Sequence, residues 1–317
     1  MIVACCEHKN RRTNGITAAG ATRYRCKDCG KSWTESTSMF GGMRIGMDRA
    51  EKIIGMLCEG MSVLATSRLT DTDPHTIIDL LMFVGERCEV FMQEQIKGIH
   101  VDEIQMDEQW QFVLCKKATA RAKKYVGGCG DCWCYSAIER STKLVVAWHM
   151  GKRDEKHTSA FIGKLAAATT GKFDLASDGW TAYPMAVWRH LNGRVNYGML
   201  IKIFGDGSAE DRRRYSPAKI ISAKKTAVLG VPEGKRICTS HSERLNGSTR
   251  NFVKRMGRLT YAFSKKWDNH RCALALWFAF YNWARPHKSL KGQTPAMAHG
   301  IATEVWSVRM LLEAIVK

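Results

Sequence analysis

Between Val101 and Leu114 the chain alternates. Ile104, Met106, Trp110, Phe112 and Leu114 share even parity, while Glu103, Gln105, Asp107, Gln109 and Gln111 share the odd one. Side chains of a strand point to opposite faces with period two, so this pattern predicts a strand with one face in a core. Asp107 falls on the polar face and is the better catalytic candidate; Asp102 falls on the buried parity near the strand's mouth. "CWCYSAIER" and "TKLVVAWHM" read as two further strands joined by a tight turn at "RST". "HTSAFIGKLAAATT" reads as a helix with small residues for close packing, and "KFDLASDGW" as an apolar strand ending at Asp178, before Gly179. Three strands, a helix, a strand and more helices predict a mixed α/β sheet with a carboxylate at two strand ends.

The segment before it has a helical period. "DRAEKIIGMLCEG" puts Ile53, Ile54, Met56 and Leu57 on one stripe, with Gly60 as a stop signal. "MSVLATSRLT" is a short second helix, and "DTDPHTIIDLLMFVGERCEVF" starts a third with Asp73 as N-cap and Pro74 at the first helical position. Three helices with tight connections suit a helix-turn-helix. Residues 34–100 nevertheless carry 6 basic against 10 acidic groups, and the third helix offers His75 and Thr76 near its start but no Arg fork for guanine. A helical protein–protein contact is therefore the competing reading.

Charge changes the picture further along. Residues 1–100 hold 13 Lys and Arg against 12 Asp and Glu, whereas the remaining 217 hold 36 against 18. A surplus of that size marks a polyanionic partner, with nucleic acid the commonest. The longest apolar run, Cys272 to Phe280, is too short to span a bilayer, and the start lacks a secretory pattern. These features lead us to expect a soluble intracellular protein with no membrane partner.

Twelve cysteines in a chain with nothing arguing for export point to metal rather than disulfides. Cys5-x-x-His8 and Cys26-x-x-Cys29, seventeen residues apart, are two knuckles that can supply a tetrahedral Zn²⁺ site. The glycine after the second pair permits a tight turn, Trp33 can cover the site, and Cys6 competes with Cys5 as a ligand. Cys115, Cys129, Cys132 and Cys134 cluster near strand ends, either as a second zinc site or as strand cysteines beside a Gly-rich turn.

"HSERLNGSTRNFVKRMGR" is a basic helix that opens with a carboxylate. Leu245, Phe252, Val253 and Met256 form its apolar stripe, while Glu243, Asn246 and Arg250 line up on another face. Asp107 and Asp178 from the sheet and Glu243 from the helix can converge, and such a cluster is costly unless divalent cations neutralise it. Two Mg²⁺ ions about 4 Å apart would clamp the oxygens of a phosphodiester, with Arg250 on phosphate. Each residue alone has a plainer role: Glu243 as the return arm of a capping box from Ser240, Asp178 as a turn residue, Asp107 as a solvated strand residue.

"MDEQW", "SDGW" and "ERLNGSTR" resemble, in order and spacing, the catalytic motifs of transposases of the insertion-sequence-one family. "RYRCKDCGKSW" and "KIIGMLCEGMSVLATSRLT" resemble its zinc-finger and helix-turn-helix region, and "FSKKWDNH" and "YNWARPHKSLKGQTPAMAHGI" resemble the carboxy-terminal part of related DDE transposases. The resemblance implies a ribonuclease-H-like mixed sheet with flanking helices and phosphoryl transfer dependent on Mg²⁺ or Mn²⁺. Its acidic triad falls on Asp107, Asp178 and Glu243, at intervals of 71 and 65 residues, and its basic residue on Arg250; Asn246 lies between. His8 stands where the family usually has a cysteine.

The expected modules are a zinc-ribbon-like 1–40, a helix-turn-helix 41–96, a catalytic domain 97–300 with a basic insertion at about 205–236, and a C-terminal helix 301–317. Double-stranded DNA, as element ends and target, would meet Arg244, Lys254, Arg255 and Arg258, with Arg212, Arg213, Arg214, Lys224 and Lys225 of the insertion. A homodimer or larger assembly on DNA is expected, in the cytoplasm and at the nucleoid of a bacterial cell. The rival functions are a catalytically silent DNA-binding regulator and a structure-selective nuclease of the same fold.

Overall fold

The structure, a computed structural model, describes residues 6, 8–17, 21–34, 39–125, 127–205, 220–257 and 260–316. Three short strands come first, β1 (Arg11–Ile16), β2 (Thr22–Cys26) and β3 (Ser32–Thr34), paired in an antiparallel sheet. Helices α1 (Met47–Cys58), α2 (Val63–Thr70) and α3 (Pro74–Gln95) follow. Asp73 caps α3 by accepting from the His75 amide at 2.8 Å, and Pro74 occupies the first turn, where its missing N–H costs nothing.

The central sheet is built from β5 (Glu103–Val113), β6 (Gly130–Glu139), β7 (Val145–Gly151), β9 (Phe173–Ser177), β10 (Val195–Phe204) and β11 (Ile220–Leu229), in the order β11-β10-β9-β5-β6-β7. β5, β9 and β10 run parallel; β6 and β7 are antiparallel to their neighbours, and β11 returns against β10. Two-residue strands β4 (Ile99–His100) and β8 (Thr169–Thr170) pair beside it, and α4 (Lys117–Ala122) follows β5. α5 (Glu155–Ala168) and α6 (Tyr183–Leu191) cover one face, where Tyr135 of β6 meets Phe161 of α5. α7 (Ser240–Phe252) and α8 (Trp267–Trp283) cover the other, where Trp148 of β7 meets Phe278 of α8. α9 (Pro295–His299) and α10 (Val308–Ile315) close the chain. The result is a mixed sheet with helices on both faces.

Two sequence expectations change. β10 and β11 are additional strands, and β11 occupies the latter part of the expected insertion, the residues from 206 to 219 lying outside the described ones. The polar parity of β5 is not a wet face: Gln105, Gln109 and Gln111 are 0%, 2% and 2% exposed beneath α7. Asp102, by contrast, lies just before the strand with its side chain 79% exposed, so its parity did not bury it.

From Cys272 to Trp283 α8 is enclosed all round, with Leu274, Trp277 and Trp283 fully buried. Its outer side receives α3 at Gly85, where an added Cβ would lie 2.5 Å from Cys272. Arg271 of α8 pairs there with Glu89 of α3. One continuous core therefore runs from Phe40 to Ile315 and crosses the expected boundary near residue 96. No helix among the described residues is long and apolar enough to cross a membrane.

Candidate active site

β5 and β9 are in parallel register with Gln105 opposite Ala176, so two residues further on Asp107 and Asp178 arrive side by side. Asp107, Glu108 and Asp178 each bring a carboxylate oxygen within 4.8 Å of the others. Burial, then the charges of Asp178 and Glu108, push Asp107 up to about 8, and the Glu243 charge adds to the effect. Burial and the Asp178 charge likewise push Glu108 up to about 7, and burial raises Asp178.

α7 is fixed over this cluster by the polar row of β5. Gln105 accepts from the His241 amide at 2.8 Å, Gln109 donates to the Asn246 carbonyl at 3.1 Å, and Gln111 donates to the Arg255 carbonyl at 2.7 Å. Asp107 takes its turn in the same row: the Asn246 side chain donates to its Oδ2 at 2.7 Å, while its Oδ1 accepts from the Glu108 amide at 2.9 Å. Asn246 is thereby buried against the carboxylate, as its helical spacing from Glu243 suggested.

Glu243, on the first turn of α7, is half-exposed and held by the Lys202 ammonium and by the Thr239 hydroxyl at 2.7 Å. Burial alone would raise its carboxyl, but these bonds outweigh burial and hold it below the usual range. It is not the arm of a capping box: Thr239 is the N-cap and no side chain caps the helix. Arg250 lies two turns further along α7, half-buried.

Sequence reasoning passed over Glu108 and Arg153. Glu108 shares the apolar parity of β5 and is 7% exposed. Its two oxygens are taken by Arg153, whose Nε donates at 2.7 Å, and by the Tyr183 hydroxyl at 2.8 Å. The guanidinium also reaches Asp178 at 3.7 Å and lies between the rings of Trp133 and Trp180, 4.8 and 4.2 Å from their centroids. Trp180 in turn donates its amide to Asp178 Oδ1 at 3.1 Å. The signal in the sequence was a charged residue placed at an apolar parity, which is stable in a core only with a partner.

Carboxylate oxygens are the ligands Mg²⁺ and Mn²⁺ prefer, and a group of raised acids is the arrangement such a cation stabilises; the donor set fits. A second donor set lies at β1–β3, made of Cys6, His8, Cys26 and Cys29. Cys6 to Cys26 is 3.7 Å between sulfurs and Cys29 to His8 Nδ1 is 3.3 Å, close to the edges of a tetrahedron with bonds of about 2.3 Å. Cys5 lies outside the described residues, and its competitor Cys6 completes the group. The Cys29 amide and the His8 side chain lower the Cys26 thiol to about 6, which favours the thiolate a metal needs. The Trp33 ring stands 5.2 Å from that of His8. This set fits Zn²⁺. Cys115, Cys129, Cys132 and Cys134 form no such group; Cys132 and Cys134 are buried strand residues, and burial pushes the Cys132 thiol up to about 12.

Of the expected DNA contacts, Arg244, Lys254, Lys224 and Lys225 are exposed, and Lys225 donates to the Gly234 carbonyl at 2.6 Å. Arg255 differs: its guanidinium turns inward to Ser264 at 3.3 Å and to the Asn269 carbonyl at 3.4 Å, within a buried setting. Arg212, Arg213, Arg214 and Arg258 lie outside the described residues.

Residues 234–295 match a family profile described as an integrase core domain. The matched stretch contains α7 and α8, and with them Glu243, Asn246 and Arg250. Among solved structures the chain is similar to a piggyBac transposase in a synaptic complex with hairpin DNA, at 10% identity and a TM-score of 0.41, over 88% of this chain and 72% of that one. No curated protein sequence matches.

Proposed function

We propose that this chain is a DDE transposase that binds the terminal inverted repeats of an insertion sequence, cleaves one strand at each end and joins the freed 3′-hydroxyl to target DNA. The observation that carries the proposal is the docking of the integrase-like helix α7 on the acidic strand β5, with Asn246 bonded to Asp107 beside Asp178. Asp107 and Asp178 are the residues that would hold the divalent ions, with Glu243 as third ligand. Such ions supply charge neutralisation and Lewis-acid activation of the attacking and leaving oxygens when bound.

The chain's own residues supply the positioning. Asn246 fixes the rotamer of Asp107, and the Trp180 amide fixes that of Asp178. Arg153 pairs with Glu108 and opposes the burial that raises its carboxyl. Arg250 would hold a phosphate by charge-assisted hydrogen bonds. The Cys6/His8/Cys26/Cys29 group, as a structural zinc site, and α1–α3, as a helix-turn-helix, are the parts assigned to end recognition, and two ends held together call for at least a dimer.

The test is to incubate the protein with Mg²⁺ and labelled DNA carrying its flanking inverted repeats. Both nicks and joined products are expected. Binding without nicks leaves a silent regulator, and nicks without joining leave a nuclease. Glu243→Gln, Asp107→Asn and Asp178→Asn should each abolish cleavage and joining while DNA binding persists; a folded Glu243→Gln protein that cleaves at the parent rate removes Glu243 from the site.

A further inference from the structure

Lys202, the cation that holds Glu243, stands on β10. Gly198 precedes it by four residues on the same face of the strand, and a Cβ there would lie 2.5 Å from Ile237. The missing side chain lets the segment leading into α7 cross close over β10. The first turn of α7 is thereby laid above Lys202, whose ammonium donates to Glu243 Oε1. The lysine is the inner member of the pair, its side chain 22% exposed against 48% for Glu243. Its charge also reaches Asp178, opposing the burial that raises that carboxyl.

Glu243 itself stands outside the group formed by Asp107, Glu108 and Asp178, although Asp107 feels its charge. Two cations therefore border the acidic site in different ways. Arg153 is stacked between two tryptophans and bonded to a buried glutamate, so it stays. Lys202 is a point charge on a flexible stem with one carboxylate partner among the described residues, so it can turn away.

Resting on the metal-site reading above, we propose that Lys202 is a positioning residue that controls when Glu243 becomes a ligand. Its ammonium holds the glutamate outside the carboxylate group, and a divalent cation must displace it to recruit Glu243. The competition is for one carboxylate. It predicts that the effect of Lys202 on metal affinity passes through Glu243, not through the general field of the site.

The experiment measures Mn²⁺ affinity of the full chain without DNA, by the electron paramagnetic resonance of free Mn²⁺, with thermal melts as a check on folding. Lys202→Met should tighten Mn²⁺ by about fivefold or more, the scale of a typical coupling between two bound species. In a Glu243→Gln background the same change should have only a small effect, the pull of the Lys202 charge on Asp178. Lys202→Arg, whose fork grips a carboxylate with two bonds, should weaken Mn²⁺ and provides the test if Lys202→Met does not fold. Equal tightening in both backgrounds overturns the proposal, because Lys202 would then act on Asp178 alone; so does no change in any variant. Mn²⁺ uptake that Asp107→Asn leaves intact fails at the metal site itself and is recognised by that control.

Discussion

The two groups of metal donors sit on sheets of opposite character. β1–β3 is a thin sheet whose strands are mostly exposed, and Cys26 is the only buried hydrophobic residue among its described positions. Asp107, Glu108 and Asp178 stand in a six-stranded sheet packed on both faces. A sheet with almost no core depends on its donors to hold it, whereas a sheet with a large core carries its donors as a burden. The same kind of feature, three or four ligands within bonding reach, is stabilising in one place and destabilising in the other.

The sharpest way to break this comparison is Cys26→Ser. Zinc content should fall by one ion per chain, and amides of residues 8–34 should exchange with solvent as in an unfolded segment while those of β5 stay protected, as hydrogen exchange read by mass spectrometry will report. Persistent protection of β2 without zinc would mean that the small sheet holds itself. Asp107→Asn should have the opposite sign. It removes one charge from a crowded buried site, so the metal-free variant should be more stable than the parent by about 0.5–2 kcal/mol in urea. A loss of stability would mean that the bond to Asn246 outweighs the crowding.

The pH dependence sharpens the same point. Asp107 is raised to about 8 and Glu108 to about 7, against about 3.9 and 4.3 for the unfolded chain. Between those limits the folded chain binds more protons than the unfolded one, so the stability they contribute is present on the acid side and is lost as pH rises toward 8. Metal-free parent protein should therefore melt lower at pH 8 than at pH 6, and the slope should shrink in Asp107→Asn. The smallest effect is expected from Gln111→Met, which deletes the bond to the Arg255 carbonyl and should cost about 1 kcal/mol in urea while leaving Mn²⁺ affinity near the parent's.

Much of the central sheet was legible because its strands obey period two. β5, β6, β7 and β9 appear where alternation or an apolar run placed them, as does the cap of α3 at Asp73. β10 was passed over although Val195, Tyr197, Met199, Ile201 and Ile203 alternate along it, and β11 because "ISAKKTAVL" is an exposed edge strand whose lysines read as a loop. Asp178 directly follows the end of β9, where its apolar run placed it, whereas Asp107 lies in the middle of β5 and not at a strand end; Asn246 follows from helical spacing. Glu108 offered only a charge on the apolar parity, and the fold alone shows that Arg153 and Tyr183 arrive to satisfy it. The wet or dry state of the glutamine row was equally invisible, because it depends on a helix more than a hundred residues away.

The contact between Gly85 and Cys272 has a mechanical consequence. α3 is a rod of 22 residues, about 33 Å long at 1.5 Å per residue. It meets α8 near its midpoint, and the half that begins at Pro74 is bedded in the same core through Ile77, Leu80 and Leu81. In its second half, Glu89 is tied both to Arg271 of α8 and to Lys164 of α5, one on each side of the central sheet. At the far end of α8, Asn282 grips both the amide and the carbonyl of Val145 on the edge strand β7. The start of α3 is thus joined through α8 to the rim of the sheet that holds Asp107 in its middle.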